Sequence, residues 1–336
     1  MADFSDSYKS AAKAKIPLDA VSSPRFLFGD LSLVEANRYP QASYANLREA
    51  LSEYSGWSAS GITAGNGSDE LIAYLILKYG NGGVALYEPT FPMYSINCRN
   101  FGKPVVSLQL DSNFQPVICD EARNASLVFI CSPNNPTGTQ VSQETILQFA
   151  KECKGVVVVD EAYFEFCNIS FINRLSEFEN VAILRSLSKA WGLAGLRIGY
   201  MLANERITSE IGTMRLPFNI SALSEKLAAD AITIGKSRMM ANVEQIVQER
   251  NKLSSQLANR GYSVFPSSAN FVLVRCPYGA KATICALAKD GIAVKDFSDA
   301  LGLGDCVRIS AGSSDEISLL LGSLDRLAAN GIQIKV

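Results

Sequence analysis

Leu184-Arg-Ser-Leu-Ser-Lys-Ala-Trp-Gly-Leu-Ala-Gly-Leu-Arg-Ile-Gly-Tyr200 is the stretch that organises the reading of this chain. The apolar run Val181-Ala-Ile-Leu184 enters it as a buried strand and breaks at Ser186-Leu-Ser188. Lys189 then stands in a loop of small residues, where Gly192 and Gly195 permit close backbone approach and positive φ. Arg197 follows eight residues later, inside a second apolar strand expected over 196–203. A lysine flanked by hydroxyls, with a guanidinium just beyond, suits a phosphate-bearing carbonyl cofactor. The amine would close a Schiff base while Ser186, Ser188 and Arg197 hold the phosphate. A solvated lysine beside a turn is the plain alternative, and this stretch alone does not separate the two.

Two further stretches do. Gly155-Val-Val-Val-Val-Asp-Glu-Ala-Tyr163 is a four-valine strand ending in carboxylates, and a continuous β-branched run implies burial on both faces. Asp160 therefore emerges at the carboxyl end of a central parallel strand, where open α/β sheets bind ligands. A carboxylate there can pair with a protonated pyridine nitrogen and keep the ring an electron sink. Leu127-Val-Phe-Ile-Cys-Ser-Pro-Asn-Asn-Pro-Thr-Gly138 is a third strand running into a turn, whose Asn134 and Asn135 amides can donate to a phenolate oxygen. The alternatives are a helix-capping role for Asp160 and ordinary turn chemistry for the asparagines.

With these motifs in view, the chain resembles fold-type I pyridoxal-phosphate enzymes of the aspartate aminotransferase superfamily, most nearly the histidinol-phosphate aminotransferases. Asn37-Arg-Tyr-Pro40, Ala64-Gly-Asn-Gly-Ser-Asp-Glu70, Glu88-Pro-Thr-Phe-Pro-Met-Tyr94, Pro217-Phe-Asn-Ile-Ser221, Ala269-Asn-Phe-Val-Leu273 and Val307-Arg-Ile-Ser310 carry the resemblance beside the lysine loop. It implies pyridoxal 5'-phosphate as cofactor, with Lys189 as the Schiff-base lysine and proton carrier and Asp160 at the ring nitrogen. Asn135 and Tyr163 would bond the phenolic oxygen, and Phe91 would stack on the ring. Gly67 and the amides of Ser68 and Asp69 would join Ser186, Ser188 and Arg197 at the phosphate, and Tyr39 would come from a second subunit. On the substrate side the resemblance implies Arg308 for an anion, with Asn135 nearby. Lys295 stands where histidinol-phosphate aminotransferases commonly have a second arginine. Phe28-Gly-Asp-Leu31 departs from the Asn-Glu-Asn-Pro-type segment usual in that family, which leaves the N-terminal arm open.

The expected fold is α/β: a mostly parallel central sheet flanked by helices, with a smaller α+β C-terminal domain. Strands near 84–87, 105–110, 126–131, 155–160, 181–186 and 196–203 alternate with helices near 69–79, 91–101, 142–151 and 204–215. The expected division is 37–232 for the large cofactor domain and 233–336 for the small domain, and the resemblance implies that residues 1–36 form an N-terminal arm that joins the small domain. A short helix is expected from Ser7 to Ile16. A helical pattern from Ser221 to Gly261 is expected to break near Gly235, and Ser313-Ser-Asp-Glu316 reads as a capping box. Gly65-x-Gly67 is a lone fragment of a dinucleotide fingerprint with Glu70 at the third glycine position, so NAD is set aside.

Composition bounds the rest. The chain has 336 residues, 48% apolar and 19% charged, with a formal net charge of −2. That balance argues against nucleic acid or an anionic membrane as partner. No apolar run is long enough to span a bilayer, no signal-like pattern opens the chain, and the eight cysteines are scattered without a Cys-x-x-Cys pair. A cytoplasmic, reduced setting without metal is expected. The chain has no histidine, which removes Ser-His-Asp and Cys-His nucleophile schemes. The activity that the resemblance implies is transamination of L-histidinol phosphate with 2-oxoglutarate by a homodimer with shared sites, acting on small amines and 2-oxo acids. A threonine-phosphate decarboxylase-like lyase, an aromatic or other amino-acid aminotransferase, and a silent binding protein of the same fold are the alternatives.

Overall fold

The computed structural model describes residues 16–17, 40 and 43–332. The expected helix from Ser7, the 28–31 segment and Tyr39 lie outside the described residues. After β1 (Ile16–Pro17), seven strands form one sheet. They are β2 (Ile62–Asn66), β3 (Val84–Glu88), β4 (Val105–Gln109), β5 (Leu127–Cys131), β6 (Val156–Asp160), β7 (Val181–Ser186) and β8 (Ile198–Ala203). Their spatial order is β2-β8-β7-β6-β5-β3-β4. All pairs are parallel except those of β8, which runs antiparallel to both β2 and β7.

Alternation along the strands explains how one sheet carries two cores. Val128, Ile130, Val157, Val159, Val181 and Ile183 join one buried cluster, with Leu47 and Leu51 of α1 (Ala45–Ser55). Leu127, Phe129, Val156, Val158, Ala182 and Leu184 join the other, with Leu71 and Leu75 of α2 (Ser68–Tyr79). Carried to the strand ends, this parity puts Asp160 and Ser186 on the face that holds Phe91 and Tyr94, and Arg185 on the opposite one. Helices α3 (Met93–Asn100), α4 (Asp120–Asn124), α5 (Gln143–Glu152), α6 (Ile172–Leu175) and α7 (Glu205–Gly212) complete this part of the chain. α3 begins later than its sequence suggests because Pro92 disfavours the helical conformation at Phe91.

The expected break near Gly235 does not occur. α8 (Ala222–Ala258) is one continuous helix of 37 residues, opened by Ser221, whose Oγ accepts the Ser224 N–H at 3.1 Å. Gly235 keeps its N–H and is buried, so the helix tolerates it at about 1 kcal/mol relative to alanine. Ala228, Ala231 and Ile246 pack on the first core, whereas Leu253 and Leu257 enter a third cluster belonging to the C-terminal region.

That region is a small antiparallel sheet ordered β12-β13-β10-β9, from β9 (Ser263–Val264), β10 (Phe271–Arg275), β12 (Lys295–Asp296) and β13 (Cys306–Ser310). β11 (Ile292–Ala293) instead pairs in parallel with β1, so the 292–296 run serves two sheets. Helices α9 (Ala280–Lys289) and α10 (Ser314–Ile332) cover it. The capping box forms: the Ser313 N–H donates to Glu316 Oε2 at 2.7 Å, and the Glu316 N–H donates to Ser313 Oγ at 3.4 Å. Among the described residues no helix is long and apolar enough to cross a membrane.

Candidate active site

The carboxyl ends of β5, β6 and β7 bring the sequence motifs together. Cys131 and Asp160 are cross-strand partners, as are Asp160 and Leu184, so the asparagine turn and the lysine loop flank the carboxylate. Asp160 is buried; the Tyr94 hydroxyl donates to its Oδ2 at 2.6 Å and the Ala162 N–H to its Oδ1 at 3.1 Å. Burial pushes its carboxyl up to about 6, against the pull of those two donors and of Lys189. Lys189 moves the other way: burial, with Arg308 and Arg197 in support, pushes its ammonium down to about 8. Its Nζ lies 5.6 Å from the centre of the Tyr163 ring.

One side of this centre is a cradle for an anion. The turn from β2 into α2 passes through Gly67 at φ 80°, so Ser68 and Asp69 open the helix with unpaired amides of its first turn. A Cβ on Gly199 of β8 would stand 2.1 Å from the Ser68 nitrogen, and one on Gly67 would stand 2.5 Å from Arg197 Nη2. Only glycine fits at either position. Arg197 precedes β8 rather than lying within it; its left-handed backbone, φ 54°, ends a short 3₁₀ turn, and Nη2 donates to Asp69 Oδ2 at 2.9 Å. Ser186 Oγ accepts the Ser188 N–H at 3.1 Å, which fixes the serine pair at the start of the lysine loop. Glu70 secures the turn from behind, accepting from the Asn66 N–H and from Asn219 Nδ2, each at 2.6 Å.

The opposite side is cationic. β12 and β13 pair so that Lys295 stands directly across from Arg308. Arg308 is buried between aromatic rings, its guanidinium carbon 5.2 Å from the Phe271 centroid and 5.5 Å from that of Phe297, and Nη1 donates to Asn135 Oδ1. The small sheet and the asparagine turn thus meet at one contact. Asn134 is used structurally, tying its turn to the segment after β3: Nδ2 donates to the Pro89 carbonyl and Thr137 Oγ1, and Oδ1 accepts from Thr90.

A family model for aminotransferase class I and II matches residues 20–324. The chain belongs to this aminotransferase family. It is 37% identical over 301 residues to a histidinol-phosphate aminotransferase of Thermoanaerobacter pseudethanolicus, covering 87% of this chain and 85% of that one. It is also 37% identical over 339 residues to one from Ruminiclostridium cellulolyticum, covering 94% and 93%. The crystal structure of histidinol-phosphate aminotransferase from Sinorhizobium meliloti in complex with pyridoxal-5'-phosphate has the same fold, with TM-score 0.87 at 24% identity over 98% of this chain and 95% of that one.

In this aminotransferase Lys189, Asp160, Tyr163, Asn135, Ser186 and Ser188 gather at the strand ends, Gly67, Ser68, Asp69 and Arg197 form the cradle, and Arg308 and Lys295 face each other. Phe91 meets Tyr94, the donor to the acid, with its ring edge-on at 5.5 Å. Two features escaped the sequence reading. One is the Tyr94 hydroxyl bonded to Asp160, for which a spacing of three from Phe91 across a helix start was the available signal. The other is behind β7, where Arg185 Nε donates to Glu161 Oε2 at 3.0 Å, with both side chains buried. Glu165 lies close to this pair and accepts from the Tyr54 hydroxyl at 3.1 Å. Nothing in a strand-end Glu or a pre-serine Arg announces such a pairing.

Proposed function

We propose that this aminotransferase moves the amino group of a small phosphorylated amine of the L-histidinol phosphate kind onto a 2-oxo acid such as 2-oxoglutarate. The observation that carries the substrate side is the register that sets Lys295 opposite Arg308, whose charge acts on the buried Lys189. The names borne by its relatives agree with this reading.

The cofactor is pyridoxal 5'-phosphate, and the residues fit it on their own geometry. A glycine-lined cradle at a helix start accepts a phosphate, and a buried carboxylate stands at the strand ends for a ring nitrogen. The chemistry it supplies when bound is a carbonyl for the substrate amine and a ring that withdraws electrons from Cα. Ser68, Asp69, Ser186, Ser188 and Arg197 hold the phosphate. Asp160 would accept the ring N–H, and Phe91 would cover one face. Asn135 uses its Oδ1 on Arg308, which leaves Nδ2 to donate to the phenolic oxygen together with Tyr163. Lys189, with its ammonium brought to about 8, is able to give up a proton near neutral pH and carries the substrate Cα proton. Arg308 binds one substrate anion and Lys295 the phosphate end.

The same reading includes a homodimer in the cytoplasm. Exposed Leu216, Phe218 and Leu223 beside the cradle support a second copy packing there, with Tyr39 supplied across the interface. Eight free cysteines accord with a reducing compartment. Half-reactions read from the cofactor absorbance test the substrate: L-histidinol phosphate should convert the enzyme to its amine form faster than phenylalanine or phosphothreonine does. Release of carbon dioxide from phosphothreonine, or turnover of phenylalanine alone, would replace this assignment.

A further inference from the structure

Tyr94 is fully buried, and nothing assigned so far uses its hydroxyl. Its ring is stacked on Phe129 of β5, centroids 4.5 Å apart and planes 15° apart, and meets Phe91 edge-on. Two ring contacts on different elements leave the phenol oxygen one place to be, 2.6 Å from Asp160 Oδ2. A buried phenol needs a partner, but a core tyrosine usually finds a backbone carbonyl; here it finds the one carboxylate at the centre of the site. Burial and the adjoining Asp160 push the phenol well above its ordinary range, so it keeps its proton and donates.

The lone pairs of Asp160 can then be counted. Oδ1 takes the Ala162 N–H, Oδ2 takes the Tyr94 O–H, and each oxygen retains a second acceptor position. A donor on either side fixes the plane of the carboxylate as well as its charge. The charged groups around it do not do this alone. Asp69 opposes ionisation of Asp160, Lys189 favours it, and Cys131, its partner across β5 and β6, is a neutral thiol that burial holds in that form. Without the phenol, a carboxyl in this enclosed place would take a proton and present a neutral acid.

We propose that Tyr94 is a positioning residue that keeps Asp160 a carboxylate, in a fixed plane, under the nitrogen of the cofactor ring. The inference rests on the placement of Asp160 at that nitrogen. It assigns to the helix start that bears Phe91 a second task, so that the residue over the ring face and the residue behind the ring acid are one turn apart.

The test compares binding of pyridoxal 5'-phosphate with its 1-deaza analogue, which has CH in place of the ring nitrogen, as pH is varied. Wild-type protein should prefer the parent cofactor, and the preference should fade as pH falls through the acidity of Asp160. In Tyr94→Phe, which retains both ring contacts, the midpoint of that loss should rise by about one to two pH units, as expected for removing one hydrogen bond to a charged group. Asp160→Asn should show no preference, and adding Tyr94→Phe to it should change nothing. The ¹³C carboxyl resonance of Asp160 in cofactor-free protein, assigned through Asp160→Asn, should titrate at a higher pH in Tyr94→Phe and gives the same answer without a ligand. Unmoved midpoints in both measurements overturn the role of Tyr94 while leaving Asp160 at the ring. Equal binding of the two cofactors by wild type removes Asp160 from the ring nitrogen, and the proposal falls with it.

Discussion

Glu165→Gln is expected to stabilise the protein above neutral pH and to leave it nearly unchanged in acid. The reason is a charge imbalance behind β7. Arg185 is shared by two carboxylates, and its Nε and Nη2 both lie 3.0 Å from Glu161 Oε2. Glu165 is the acid in excess: Oε1 accepts from Tyr54, and the buried Oε2 has no hydrogen-bond partner among the described residues. Burial, reinforced by Glu161, pushes its carboxyl up to about 7, against Arg185 and the Tyr54 hydroxyl, which pull it down. A carboxyl raised in the folded state binds its proton more tightly there than in the unfolded chain. Its stabilising contribution is therefore complete below the ordinary 4.5 and is lost as pH rises through about 7, a total of about 3 kcal/mol. Glutamine keeps an acceptor for Tyr54 and carries no charge, so the variant escapes that loss. Asp160 and Lys189 titrate over neighbouring ranges, so the quantity to measure is the difference between wild type and variant, in which their effects cancel. Denaturant unfolding at fixed excess cofactor, at about pH 5 and about pH 8, gives that difference. Wild type and Glu165→Gln changing in parallel between those two conditions would show that Glu165 is not held protonated by its surroundings.

Lys189→Ala should bind pyridoxal phosphate without a covalent link and turn over negligibly; borohydride reduction and peptide mapping of the wild type should place the adduct on Lys189 and on no other lysine. Gly199→Ala drives a Cβ to within 2.1 Å of the Ser68 nitrogen, a backbone atom that cannot step aside cheaply. At about 1–3 kcal/mol for such overpacking, cofactor affinity in an equilibrium titration should fall about tenfold or more, with the lysine chemistry otherwise intact. Lys295→Ala should lower kcat/KM for L-histidinol phosphate about ten- to a hundredfold, the cost of one charge-assisted contact of about 1.5–3 kcal/mol, and should lower it less for an unphosphorylated amino acid. Equal losses on both substrates would take Lys295 out of the phosphate site, whereas Arg308→Ala should impair every anionic substrate.

The parts legible in the sequence are those where one residue type answers to one local constraint. Four valines in a row demand burial on both faces, and β6 is buried throughout. Ser313 and Glu316 satisfy each other's amides with no help from the rest of the chain, and the box forms as read. What escaped depends on contacts distant in sequence. Gly235 looks like a breaker until both cores are seen to grip the same helix on either side of it. Arg197 looks like a strand residue until Gly67 and Asp69, some 130 positions earlier, require it to turn toward them. The bond of Tyr94 to Asp160 has no local sign because the two stand 66 residues apart.

Neighbouring residues at the strand ends separate chemistry from support. Asp160 and Ser186 lie on the face that holds Phe91 and Tyr94, and the neighbouring residue on each strand, Glu161 after one and Arg185 before the other, belongs to the opposite side, where the two bond to each other. Alternation makes this economical: a strand that aims one side chain at the ligand necessarily aims its neighbour away from it. Joining those neighbours fixes the end of β6 against the end of β7 at the place where regular pairing stops, so Asp160 and the serines before Lys189 keep their relative position. A buried ion pair is a weak source of stability, since desolvation offsets most of the attraction. Its value here is geometric. An apolar pair of similar volume could match its contribution to stability, but not the directionality of a guanidinium held to a carboxylate. The surplus carboxyl of Glu165, raised by burial, is the cost of that arrangement.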